Sequence, residues 1–200
     1  MQRFAALYRA LDASTSSLAK QAALQDYLRA APPADAAWAV YFLAGGKPRQ
    51  LVPTRVLREQ ARAAAGLPEW LFDESYEAVG DLAETISLLL PDPAAPVDRP
   101  LSDWLQNHLL PLRGQPPEAL HSRLAEQWRE LAGDDRLVYF KLITGAFRVG
   151  VSKLQVTQAL AAVSGVDSKL VAQRLMGYTQ PGARPTAADF SGLTAPADAP

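Results

Sequence analysis

The chain has 200 residues, 48% of them hydrophobic, and a formal net charge of −1. That is enough apolar material to bury a core, and it excludes a disordered chain. The absence of cysteine excludes a disulfide framework and a thiolate metal site, and fits a reducing cytoplasmic setting. A zinc site would have to rest on two histidines distant in sequence, His108 and His121, with carboxylates brought from elsewhere.

The opening MQRFAALYRALD interleaves apolar and charged positions and lacks the continuous apolar core of a leader peptide. No span approaches the roughly 20 apolar residues that a membrane helix needs, so a soluble, cytoplasmic protein is expected. The small net charge hides a partition. Residues 1–60 carry eight Lys/Arg against four Asp/Glu, 61–135 carry five against fourteen, and 136–180 carry six against one. Two basic segments flank an acidic one, and a fold that brings the basic ones together would own a positive face.

In chain order, helix-type apolar spacing and start and stop residues predict helices over 2–12, 16–30, 35–45, 53–65, 68–79, 81–90, 101–111, 117–132, 135–147, 153–164 and 167–176. Phe4, Leu7, Tyr8 and Leu11 make the first apolar stripe, and Leu24, Tyr27 and Leu28 the second. His121, early in its helix, reads as a solvated surface residue. The stretch PDPAAPVDRP, Pro91 to Pro100, has too many prolines for a helix interior and is expected to join two helical halves, 1–90 and 101–180. The end, 181–200, reads as a linker with one short helix near Ala187 to Leu193.

A weak repeat crosses that proline boundary. AVYFLAGGKPRQLVPTRVLREQARAAAGL from Ala39 is similar to LVYFKLITGAFRVGVSKLQVTQALAAVSGV from Leu137. Tyr41-Phe42 falls on Tyr139-Phe140, and after one inserted residue Arg49, Val52 and Gly66 fall on Arg148, Val151 and Gly165. Each copy reads as helix, short basic glycine-containing turn, helix. The fold class expected is therefore all-α, a compact multi-helix domain of about ten to twelve helices in two pseudo-repeated halves.

The second turn carries the most chemistry. Thr144-Gly145 lies near a helix end, Arg148 and Gly150 shape the turn, and Ser152 is suited to cap the helix that follows. A helix start offers unpaired N–H groups and a positive dipole end to a phosphate. Gly150 lets backbone approach closely, and Arg148 and Lys153 add charge on either side. The first turn, Gly45-Gly46-Lys47-Pro48-Arg49 followed by Pro53-Thr54-Arg55 and Arg58, repeats the logic less sharply. The carboxylates Asp73, Glu74, Glu77, Asp81 and Glu84 are spaced as a solvated acidic helix face, and nothing in that spacing makes a catalytic pair.

The string GAFRVGVSKLQVTQALA resembles the stretch of the DNA-binding domains of archaeal and eukaryotic ATP-dependent DNA ligases where a glycine, an arginine and a second glycine precede a helix. ESYEAVGDLAETISLLL, Glu74 to Leu90, resembles a second signature of those domains, a Gly-Asp-Leu that opens a helix. SSLAKQAALQDYLRA and WAVYFLAGG fall in the expected order. The similarity covers about residues 1–180 and is greatest to bacterial ligases of the three-domain type.

The resemblance implies an all-α domain that sits on the minor groove of nicked duplex DNA as a monomer associated with the nucleoid. It implies contacts from Gly145, Arg148, Gly150, Ser152 and Lys153 in one half and from Lys47, Arg49 and Arg55 in the other, with Ser16, Lys20 and Gly80 as weaker carry-overs. Such contacts position the protein without reading bases. Here the first turn departs from the more glycine-rich turn of many relatives, which puts contacts there in doubt. The family's adenylation lysine, set in Lys-x-Asp-Gly, is not matched. Lys20, Lys47, Lys141, Lys153 and Lys169 are followed by Gln-Ala-Ala, Pro-Arg-Gln, Leu-Ile-Thr, Leu-Gln-Val and Leu-Val-Ala. No cofactor is therefore expected on these residues, and the ATP and Mg²⁺ of the family are expected in catalytic domains beyond Pro200. A helical protein-interaction scaffold is the alternative expectation, and the salt dependence of DNA binding separates the two.

Overall fold

A computed structural model describes residues 1–197, so the last three residues of the expected linker lie outside it. Among the described residues there are twelve α-helical segments and no strand. They are α1 (Gln2–Ala13), α2 (Ser17–Ala30), α3 (Pro33–Leu43), α4 (Thr54–Ala65), α5 (Glu69–Val79), α6 (Leu82–Leu89), a single turn α7 (Leu101–Asp103), α8 (Pro117–Trp128), α9 (Gly133–Ile143), α10 (Lys153–Ser164), α11 (Ser168–Leu175) and α12 (Ala187–Thr194). After α7 the chain continues as a π turn, Trp104–Leu109, and a 3₁₀ turn, Leu110–Leu112. Pro111 lies in that last turn and has no N–H with which to continue an α-helical ladder.

Local chemistry sets most of these boundaries. Ser16, Asp81, Ser152, Asp167 and Thr186 each accept a backbone N–H of the helix they open. Left-handed glycines close α4, α5 and α10 at Gly66, Gly80 and Gly165. Two sequence expectations overran by a full turn. The helix expected over 135–147 stops at Ile143, because Gly145 turns left-handed (φ 72°) and Ala146 N–H closes on Lys141 O at 2.9 Å. The helix expected to reach 132 stops at Trp128. The proline stretch from Pro91 to Pro100 carries no helix.

The chain forms two compact units, and they do not coincide with the sequence halves 1–90 and 101–180. Unit 1 is Met1–Gln2, Gln50–Arg99 and Asp103–Phe147; unit 2 is Arg3–Arg49, Pro100–Ser102 and Arg148–Pro200. Each basic turn is therefore where the chain leaves one unit for the other, after Arg49 and after Phe147. Each unit is built from both sequence halves.

Within each unit the same arrangement recurs. In unit 1, α6 packs on α9 and α5 packs on α6, while Gln60 of α4 donates to the His121 carbonyl of α8 at 2.8 Å. In unit 2, α12 packs on α3 and α11 on α12, while Gln21 of α2 donates to the Gln155 carbonyl of α10 at 2.7 Å. The repeat seen in the sequence is thus structural, but its register in the first helix is corrected. Gly46 N–H closes on Tyr41 O and Ala146 N–H on Lys141 O, so Tyr41-Phe42 corresponds to Lys141-Leu142 and not to Tyr139-Phe140. Hydrogen bonds at the helix end decide this register, and aromatic identity does not.

Aromatic residues fill both cores. Trp38, Tyr41 and Phe42 pack together in unit 2, and Trp104, Tyr139 and Phe140 in unit 1, with Trp128 against Phe140. Each fully buried ring contributes about 1.5–3 kcal/mol over its exposed state. The Tyr139 hydroxyl donates to Gln127 Oε1 at 2.6 Å, and Gln127 Nε2 donates to His108 O, which satisfies polar atoms inside that core. No helix among the described residues is long and apolar enough to cross a membrane.

Candidate nucleic-acid interface

Eight of the eleven site residues expected from sequence belong to unit 2, and they form two groups. The first gathers where α2 and α10 begin. Ser152 Oγ accepts Gln155 N–H at 3.1 Å and the Gln155 side chain accepts Ser152 N–H at 2.9 Å, a reciprocal cap. Among the described residues this cap leaves the N–H groups of Lys153 and Leu154 without a protein acceptor. Lys153 and Arg148 are exposed, and neither pairs with a carboxylate among the described residues. Ser16 caps α2 through Ala19 N–H at 3.2 Å. Four residues further on, the Lys20 ammonium donates to Gly150 O.

Gly150 stands directly against a neighbouring side chain. A Cβ there would lie 3.0 Å from Lys20 Nζ, so the missing side chain makes room for the ammonium. Lys20 acts first as a strap on the turn and carries its charge to it.

The second group of unit 2 is the turn after α3. Lys47 and Arg49 are exposed, again without a carboxylate partner among the described residues. Their backbone is held from beneath, where the Tyr41 hydroxyl donates to Lys47 O at 2.7 Å and lies 3.3 Å from Gln180 O. Burial raises the Tyr41 phenol above its ordinary pKa, against a smaller lowering effect from the backbone of Lys47 and Gly182, so it stays a neutral donor. Gly46 packs so tightly that a Cβ would sit 2.6 Å from Tyr41 O. The sequence placed Arg148 and Lys153 with Lys47 and Arg49; all four fall in unit 2 and all four are exposed.

Unit 1 holds Arg55, Gly80 and Gly145. Arg55 is exposed in the first turn of α4 and lines a groove between α4 and α5 with Arg58, Arg62 and Asp73. Arg58 is committed to Asp73 at 2.8 Å and lies over the Tyr76 ring, and Arg62 donates to Leu67 O. Gly80 and Gly145 both take positive φ, and their N–H groups close the ends of α5 and α9 on Tyr76 O and Leu142 O. What these two glycines supply is the left-handed turn.

The acidic segment differs from the expected solvated face. Asp73 is paired as above, and Asp81 and Glu84 bind the buried Lys141 ammonium at 2.9 and 3.3 Å; only Glu74 and Glu77 are exposed. Burial pushes the Asp81 carboxyl upward, but the Glu84 N–H and the Lys141 ammonium together outweigh it and hold the pKa below the ordinary carboxylate value. His121 is exposed, with Nδ1 2.7 Å from Gln60 Oε1. Sequence reasoning missed Lys169, which lines an α10–α11 groove with Lys153, although its Asp167 cap was a readable helix start.

Pairs of exposed cations on backbone turns that open helices suit a polyanion whose charges are regularly spaced, and they suit a phosphate backbone in particular. No lysine is followed by the required Asp-Gly, and among the described residues no three His, Asp or Glu side chains converge.

Over residues 1–161 the sequence matches the family described as DNA ligase N terminus, and the chain belongs to that family. It is also 26% identical over 214 residues, 87% of this chain, to a protein described as a probable DNA ligase from Opitutus terrae (strain DSM 11246 / JCM 15787 / PB90-1). The alignment covers 21% of that protein, so the chain spans about a fifth of the length of the curated relative it matches.

Proposed function

We propose that this chain is the DNA-binding domain of an ATP-dependent DNA ligase and holds nicked double-stranded DNA, without regard to sequence, through sugar–phosphate contacts along the minor groove. In this reading adenylation and sealing, with ATP and Mg²⁺, belong to catalytic domains C-terminal to it, and the domain acts as a monomer on cytoplasmic, nucleoid-associated DNA. The observation that carries the reading is the set Lys47, Arg49, Arg148 and Lys153, exposed and unpaired among the described residues on two equivalent turns, in a chain of the ligase N-terminal family.

Anisotropy titration of a labelled nicked duplex at several salt concentrations tests it. Binding is expected with log K falling by about 0.9 per neutralised phosphate as log[salt] rises, equally on unrelated sequences. Absence of binding at low salt, or binding confined to one sequence, would refute the reading.

A further inference from the structure

Two leucines stand out in the first group of unit 2. Leu18 is 84% exposed and Leu154 is 64% exposed, although each lies in a helix that has apolar neighbours to pack on. Their positions are equivalent. Each is the second residue after a serine cap, Ser16 and Ser152, whose hydroxyl accepts the N–H one residue beyond the leucine. They also belong to the same patch. Gln21, one turn beyond Leu18, donates to the carbonyl of Gln155, the neighbour of Leu154, and Lys20 holds Gly150. Lys153 adjoins Leu154 in the chain, Lys20 follows Leu18 by two residues, and the exposed Arg148 lies in the turn that Lys20 holds.

An exposed leucine is ordinary, but two at equivalent places beside cations that have no carboxylate partner among the described residues are a recognition pattern. A duplex groove offers the complementary pattern: two phosphate rims with deoxyribose rings between them, apolar and the same at every base pair. Side chains such as leucine are the kind that enter a minor groove. Cations alone would hold the rims and leave the sugars hydrated.

Resting on the DNA-binding reading, we propose that Leu18 and Leu154 are the apolar contacts of this domain, lying against deoxyribose in the groove while Arg148 and Lys153 take the flanking phosphates. They add affinity without adding sequence preference, and they add nothing to the number of phosphates neutralised. Their signature is therefore a loss of binding with an unchanged salt slope, whereas a lost cation lowers the slope.

The experiment is the nicked-duplex titration across a salt series with the 200-residue chain, its Leu18→Ser/Leu154→Ser double variant and Lys153→Met. Circular dichroism melts check that the fold is kept, and Leu18→Met/Leu154→Met serves as the conservative variant that should restore binding. The double serine variant is expected to bind roughly tenfold more weakly at every salt concentration, with the wild-type slope. Wild-type affinity in that variant, or a loss that disappears as salt rises, overturns the assignment while the DNA-binding reading stands. Failure of the wild-type chain to bind overturns both.

Discussion

The ammonium of Lys20 rests on the carbonyl oxygen of Gly150, 2.5 Å away and 130 residues further along the chain. It fixes the turn before α10 from the start of α2, so the geometry of one basic turn depends on a residue outside it. Lys20→Met keeps the alkyl stem and removes this bond. The fold should survive, since one charge-assisted hydrogen bond of this kind contributes about 1.5–3 kcal/mol at most. Duplex affinity should drop severalfold with a smaller change in salt slope than Lys153→Met gives, which a paired salt titration measures.

Charge reversal in the same turn should act differently. Arg148→Glu with Lys153→Glu is expected to weaken binding on every duplex alike and to flatten log K against log[salt] by about 0.9 for each lost phosphate contact. Both side chains are exposed, so the melting temperature should stay near that of the wild type. A loss confined to particular sequences would argue against backbone contacts.

Three glycines of the turns should separate by what surrounds them. Gly145→Ala meets no neighbour, but its φ of 72° should cost about 1–2 kcal/mol of stability. Gly46→Ala would drive a methyl to 2.6 Å from the Tyr41 carbonyl and should destabilise more, by about 2–3 kcal/mol. Gly150→Ala meets only the flexible tip of Lys20 and should melt like the wild type while weakening DNA binding through the displaced ammonium. Thermal melts of the three variants give the order directly.

Acid should loosen unit 1. Asp81, Asp103 and Glu130 all sit below their ordinary pKa values. For Asp103, burial is outweighed by Asn107, His108 and Arg99; for Glu130, the Arg99 hydrogen bond is the largest cause. A depressed carboxylate stabilises the fold above its unfolded pKa, roughly 4, and loses that contribution as pH falls through the folded value. Asp135, raised by burial, runs the other way. Stability by denaturant titration should therefore be flat near neutrality and fall below about pH 4. Asp81→Ala, which removes a cap and the nearer of two carboxylates on the buried Lys141, should be destabilised at neutral pH by about 2–4 kcal/mol and show a shallower acid decline.

Helix positions and the two turns were legible from sequence because their causes are local. A serine, aspartate or threonine cap, a glycine at positive φ and a proline all act within one turn of themselves, so Ser16, Asp81, Ser152, Gly66 and Gly165 mark their boundaries wherever the chain goes. The repeat was legible too, but only to within two residues in its first helix. Tyr41-Phe42 and Tyr139-Phe140 look alike as letters, while the hydrogen bonds that close each helix obey a different register.

The sequence by itself determined an all-helical chain with two basic, glycine-containing turns at helix starts and the motifs of the ligase N-terminal family. Tertiary structure alone decided that each turn carries the chain from one unit to the other, that Lys20 is spent on Gly150, and that Arg58 is taken by Asp73 while Arg148 and Lys153 stay unpaired among the described residues. It also decided that Leu18 and Leu154 remain outside the core. The reason is range: a cap or a left-handed turn is fixed by neighbours in sequence. Whether a cation or a leucine finds a partner depends on packing between residues far apart along the chain, which no local pattern encodes.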